Sequence, residues 1–127
     1  MILKVITDDN ECRQFMNSVP YPEYWPETLP AITPVSFVLG VYNPELVGCF
    51  PFNIKNGELF IHACFLKEWR GKFAVGAAKN AFKWIWSNTS FKKIVSEITE
   101  KHASRFAISS GMSKKQNRYE VVKWATL

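Results

Sequence analysis

The sequence predicts a single α/β domain spanning residues 1–127, in which an antiparallel meander of strands is flanked by helices. Three observations predict it. Apolar and β-branched residues recur with strand spacing from Val35 to Leu66, punctuated by turn signals. The period then changes abruptly to that of a helix between Gly71 and Trp86. Hydrophobic residues make up 47% of a 127-residue chain that includes 10 Phe and 5 Trp, enough for one core and too many for a disordered chain.

Taken in order, Ile2–Thr7 is a short strand, and Asp8-Asp9-Asn10 supplies the side-chain oxygens that cap a helix N-terminus. Glu11–Val19 follows as a helix with Cys12, Phe15, Met16 and Val19 on one face, ended by Pro20. Between Pro20 and Pro34 five prolines sit among Tyr21, Tyr24 and Trp25, a composition that predicts a packed irregular loop. Val35–Tyr42 and Leu46–Phe52 are strands joined at Asn43-Pro44-Glu45. Asn56-Gly57 marks a tight reversal into Glu58–Leu66. In that strand Glu58, Phe60, His62, Cys64 and Leu66 share one face, and Leu59, Ile61, Ala63 and Phe65 the other.

The Gly71–Trp86 helix carries one narrow polar stripe, Lys72, Gly76, Lys79 and Lys83, so it is expected to be covered on several sides. Lys92–Ile98 reads as a strand, His102–Ser110 as a short helix stopped by Gly111, and Arg118–Thr126 as a last strand. Phe82, Trp84, Trp86 and Phe91 fall at core spacing; exposed, they would instead serve protein partners or self-association.

Charge and motifs narrow the function classes. The net charge of +5 is dispersed, with no basic run longer than Lys92–Lys93 or Lys114–Lys115, so nucleic-acid binding is not expected. No apolar run reaches the length of a membrane span. Cys12, Cys49 and Cys64 lack paired-ligand spacing and fit reduced thiols of a cytoplasmic protein; no metal is expected. No Gly-rich nucleotide loop occurs.

The order of elements resembles that of the GNAT N-acetyltransferase superfamily. Asn43-Pro44-Glu45 before Leu46-Val47-Gly48 is similar to the family's turn between second and third strands. IHACFLKEWRGK (Ile61–Lys72) looks like its fourth strand entering the acyl-CoA signature, and EKHASRFAISSGM (Glu100–Met112) like the segment after its fifth strand. The resemblance implies a mixed, mostly antiparallel central sheet flanked by helices. It also implies an acetyl-CoA site, with Arg70, Gly71, Lys72, Ala74 and Gly76 around the pyrophosphate and Ala63, Cys64 and Phe65 along the pantetheine arm. Backbone N–H groups at a helix N-terminus suit a pyrophosphate, which is the physical reason for such a signature. Against the family pattern Arg/Gln-x-x-Gly-x-Gly/Ala, this chain places Phe73 and Val75 at the glycine positions. Lys101 or His102 stands where many members have Asn, and Ala107 where many have a Tyr general acid; Tyr119 would replace it only if the last strand turned toward the cleft.

Transfer of an acetyl group to an amine also needs a base. The candidates are His62 and Glu58 on one strand face and Glu97 on the next strand, with a satisfied half-buried histidine and a solvated glutamate as the alternatives. Cys64 has no His-Asp partner pattern and reads as a core cysteine. The expected activity is N-acetylation of an amine acceptor by acetyl-CoA. The other reading is a binding or structural protein that keeps the fold without the chemistry, resembling head-assembly or internal virion proteins of tailed phages, located in host cytoplasm or virion.

Overall fold

The computed structural model describes residues 1–18, 37–98 and 101–123. The strands and helices run β1 (Ile2–Val5), α1 (Asp9–Ser18), β2 (Phe37–Tyr42), β3 (Leu46–Lys55), β4 (Glu58–Ile61), β5 (Cys64–Phe65), α2 (Lys72–Asn88), β6 (Lys93–Ser96), α3 (Lys101–Ser109), β7 (Ser113–Lys115) and β8 (Arg118–Val122), with a single 3-10 turn at Lys67–Trp69 before α2. The strands form one mixed, mostly antiparallel sheet in the order β1-β2-β3-β4-β6-β8-β7, with β5 paired to β3. Among the described strands only β4 and β6 are parallel, because α2 carries the chain back across the sheet between them. The expected loop at Pro20–Pro34 lies outside the described residues, as do Val19, Val35, Glu100 and Thr126.

Local chemistry accounts for the helix ends. Asp8 Oδ1 accepts from the backbone N–H of Asn10 at 2.9 Å and of Glu11 at 3.3 Å, which starts α1 two residues before the expected Glu11. At the end of α3, Gly111 takes φ 105°. Its N–H reaches Ile108 O at 3.0 Å, and Met112 N–H reaches Ala107 O at 3.0 Å. That bond pair is a Schellman stop, and Ala107 and Met112 are both buried beside it. Asn56 (φ 52°) and Gly57 (φ 77°) supply the two positive angles of the β3–β4 hairpin.

Two corrections to the expected strands matter. Glu58–Leu66 is not one strand: it breaks at His62-Ala63 into β4 and β5 while keeping one register against β3 (Phe52↔Ile61, Cys49↔Cys64). Pro51 explains the break. His62 N–H donates to Pro51 O at 2.9 Å, but Pro51 has no N–H to return. The second correction is β7, which pairs with β8 through a two-residue turn at Gln116 and Asn117. The remaining boundaries shift modestly: β3 runs on to Lys55, β6 shortens to Lys93–Ser96, and Gly71 caps α2 without being part of it.

The core lies between the sheet and the pair α2 and α3, with Phe50, Phe52, Leu39, Leu59, Ile85 and Ile94 fully buried. Ala74, Ala77, Ala78 and Ala81 bring the α2 backbone close to the strands, and Lys72, Lys79 and Lys83 stay exposed, as the polar stripe requires. Phe82 is buried, while Trp84, Trp86 and Phe91 pack partly buried against the core; among the described residues no aromatic side chain is exposed. A second cluster occupies the opposite face, where Phe15 and Met16 of α1 meet Val38, Cys49 and Cys64.

Candidate functional site

The break at His62-Ala63 sets the site. β6 pairs with β4 only through Leu59↔Ile94 and Phe60↔Val95, and β5 pairs only with β3. The sheet therefore splits after Ile61. Ser96 Oγ, reaching Ile61 O at 3.4 Å, spans the point of separation. His62 and Leu66 direct their N–H groups at β3, so strand alternation turns the backbone groups of Ala63 and Phe65 toward the split. A cavity of about 680 Å³ opens there, walled by the sheet, α2 and α3.

Its mouth is built from the chain between β5 and α2. Gly71, at φ 85° and ψ −135°, holds a conformation open to glycine, and nothing lies within 4 Å of where its Cβ would stand. The first amides of α2 follow directly, so unpaired N–H donors and the positive end of the helix dipole meet at the cavity. Arg70 and Lys72 flank them, and Arg70 Nε donates to Phe65 O at 3.2 Å. Phe73 turns away: its ring packs against Trp69 at 4.9 Å between centroids, and it does not line the cavity. Of the expected residues, His62, Ala63, Cys64, Phe65, Arg70, Gly71, Lys72 and Ala74 come together around the cavity; Gly76 and Glu58 do not.

Glu58 sits at the far end of β4. Both its oxygens accept from Arg118, Nη1 at 2.9 Å and Nη2 at 2.7 Å, and Lys93 Nζ lies 3.4 Å away. Arg118, and to a lesser degree Lys93, hold its carboxyl below the usual range. Glu97 lines the cavity directly after β6 and is exposed. Tyr119 is buried in the core opposite Ser96 and does not reach the cavity, whereas Ala107 lines it. Sequence reasoning missed Arg105, Ser96 and Ser109. The signal for the α3 wall was available, since Ala103, Phe106, Ala107 and Ser110 repeat at helical spacing.

His62 is half-buried, with Nε2 3.2 Å from Asn53 Oδ1. Burial pushes its pKa down to about 4, so the ring is neutral at pH 7. A folded-state pKa below the unfolded value near 6.5 means that the unfolded chain binds the extra proton between pH 6.5 and 4. The associated stability is therefore complete above pH 6.5 and is lost as pH falls toward 4. Urea unfolding of the wild type should lose about 2 kcal/mol more than His62→Gln does between pH 7 and pH 5. Parallel curves for the two proteins would contradict the burial argument.

Among the described residues no group of three or more His, Cys, Asp or Glu could hold a metal ion, and no helix is long and apolar enough to cross a membrane.

The overall fold is shared with solved acetyltransferases. Aminoglycoside acetyltransferase AAC(6')-Ib in complex with coenzyme A superposes with a TM-score of 0.75 at 12% identity, over 94% of this chain and 93% of that one. The GNAT domain of Streptomyces lividans PAT gives 0.72 at 13% identity, over 94% and 89%. Spermidine N-acetyltransferase SpeG from Vibrio cholerae gives 0.70 at 12%, over 96% and 95%. The chain has the GNAT acetyltransferase fold. Residues 30–112 match the family described as protein of unknown function (DUF2824), and the chain belongs to that family. No curated protein matches it.

Proposed function

We propose that the protein binds acetyl-CoA in the split between β5 and β6 and transfers its acetyl group to an amine. The observation that carries this reading is the coincidence of three features at one cavity. These are the outward-facing backbone of Ala63 and Phe65, the N-terminus of α2, which no side chain caps, and cations on both walls, Arg70 and Lys72 on one and Arg105 on the other. The donor set fits a pyrophosphate: main-chain N–H groups, a helix terminus and side-chain cations.

Acetyl-CoA would supply the activated acyl group. The chain's own residues then have separate tasks. Arg70, Gly71 and Lys72 hold the phosphates, with Ala74 and Cys64 forming walls of the channel. Ala63 and Phe65 align the arm by strand-like pairing. The amine's proton becomes acidic as its bond to carbon forms, and it can pass to His62, which is neutral at pH 7, or to the Glu97 carboxylate. Glu58, held by Arg118 away from the cavity, has no part in this step.

A second reading rests on the lining itself. No tyrosine is among the described residues around the cavity, and Ala107 stands at the place the family resemblance assigns to the proton donor. A chain that binds the cofactor without turnover would have this lining, as would a GNAT-fold structural protein of the phage-virion type.

Calorimetric titration with acetyl-CoA, followed by thiol-release assays over polyamines and aminoglycosides, tests both. Micromolar binding is expected, with thermal stabilisation of about 2.7 kcal/mol at a hundredfold excess over Kd. Thiol release with an amine supports the enzyme, and binding without release supports the second reading. Absence of binding at millimolar cofactor overturns the enzyme and the cofactor-binding chain alike and leaves the structural protein.

A further inference from the structure

All three cysteines of the chain converge on one place. Cys12 comes from α1, Cys49 from β3 and Cys64 from β5, and they pack in the cluster on the α1 face of the sheet. Cys12 is partly exposed, with its thiol 3.7 Å from Met16 Sδ. Cys49 and Cys64 are 0% and 2% exposed and stand directly opposite each other in the β3/β5 register, their thiols hydrogen-bonded to one another.

A single buried cysteine is ordinary core material. Two in register are different. His62 N–H to Pro51 O and Leu66 N–H to Val47 O show that the pair between them, Cys49 and Cys64, is of the hydrogen-bonded antiparallel type. Such a pair places its Cα atoms about 5.5 Å apart. A disulfide needs roughly 4.4–6.8 Å. β5 itself edges the cavity, so the pair sits directly behind the cavity wall, with its thiols on the α1 face of the sheet.

We propose that Cys49 and Cys64 form an oxidisable dithiol, closed to a cross-strand disulfide by exchange with a small organic disulfide. In the first step the Cys64 sulfur attacks one sulfur of the reagent; a mixed disulfide forms, the reagent's S–S bond breaks, and one thiol leaves. In the second, the Cys49 sulfur attacks the mixed disulfide at Cys64 and expels the other thiol. Both protein thiols are oxidised, one reagent disulfide is reduced, and the two protons leave on the two released thiols. The bond fastens β5, held to β3 through a register interrupted at Pro51, at the strand that edges the cavity. The inference is independent of which cofactor or amine the cavity takes.

The test uses the native full-length chain incubated with hydroxyethyl disulfide, quenched by alkylation and digested without reduction. The expected result is loss of two of the three thiols, a linked peptide joining Cys49 to Cys64, Cys12 still alkylated, and full reversal by dithiothreitol. Cys12→Ser should react in the same way. Three thiols surviving the reagent would overturn the proposal, as would cross-links that all run through Cys12. The wild-type peptide map needs no variant at the buried positions, so a poorly folding Cys49→Ser or Cys64→Ser does not weaken it.

Discussion

Lys72→Glu is expected to weaken acetyl-CoA binding by about 10- to 100-fold, and Lys79→Glu to leave it nearly unchanged. Both lysines are exposed on α2, but only Lys72 lines the cavity, at the first turn where the helix dipole adds to its charge. Lys79 lies two turns on, about 10 Å along the axis. That distance exceeds the screening length of about 8 Å at physiological salt. Calorimetry on both variants separates a local phosphate contact from a general effect of net charge. Equal losses in the two would move the binding site elsewhere.

Gly48→Ala should be the most damaging conservative change in the sheet. Gly48 pairs with Phe65 across β3 and β5, and a Cβ there would stand 2.3 Å from two carbons of the Phe65 ring. That ring is 5% exposed and held edge-on against Phe50 at 5.3 Å, so any retreat gives up this packing and moves the ring into the cavity it lines. Overpacking of this kind costs about 1–3 kcal/mol or more. Because Phe65 belongs to the strand edging the cavity, acetyl-CoA affinity should fall along with stability. Adding Phe65→Leu should restore part of the loss, a coupling that urea denaturation of the two singles and the double would measure. A Gly48→Ala protein within about 0.5 kcal/mol of wild type would show that the sheet yields there without cost.

How much of this was legible in the sequence depended on whether the deciding partner was local. The α1 cap and the stop after α3 follow from Asp8 and Gly111, each acting within a few residues, and both were readable. The β4/β5 break was not read, although its cause, Pro51, stands in plain view in β3; its effect falls on a strand eleven residues later. β7 was missed because Ser113–Lys115 has no apolar residue and is fully exposed, so no periodicity marks it. At the candidate site, Arg70–Lys72 and Ala63–Phe65 line the cavity; the family resemblance pointed to them, on a strand end, loop and helix start that are contiguous in the chain. The position of Glu58 was not, since the group that claims its carboxylate, Arg118, is sixty residues away. Arg105 reaches the cavity only through the packing of α3 against the split, which no local pattern encodes.

The alanines of α2 have a consequence for how this cavity could change. Ala74 and Ala78 face it from one helix, and Ala103 and Ala107 from the other. Its bore is thus set by the shortest side chains available, laid over a backbone scaffold that the strands and helix caps fix independently. Lengthening Ala103, the one of the four outside the buried core cluster, would narrow the passage while leaving the packing of α2 on the sheet alone. A lineage could therefore retune what passes through this channel one residue at a time, without rebuilding the frame around it.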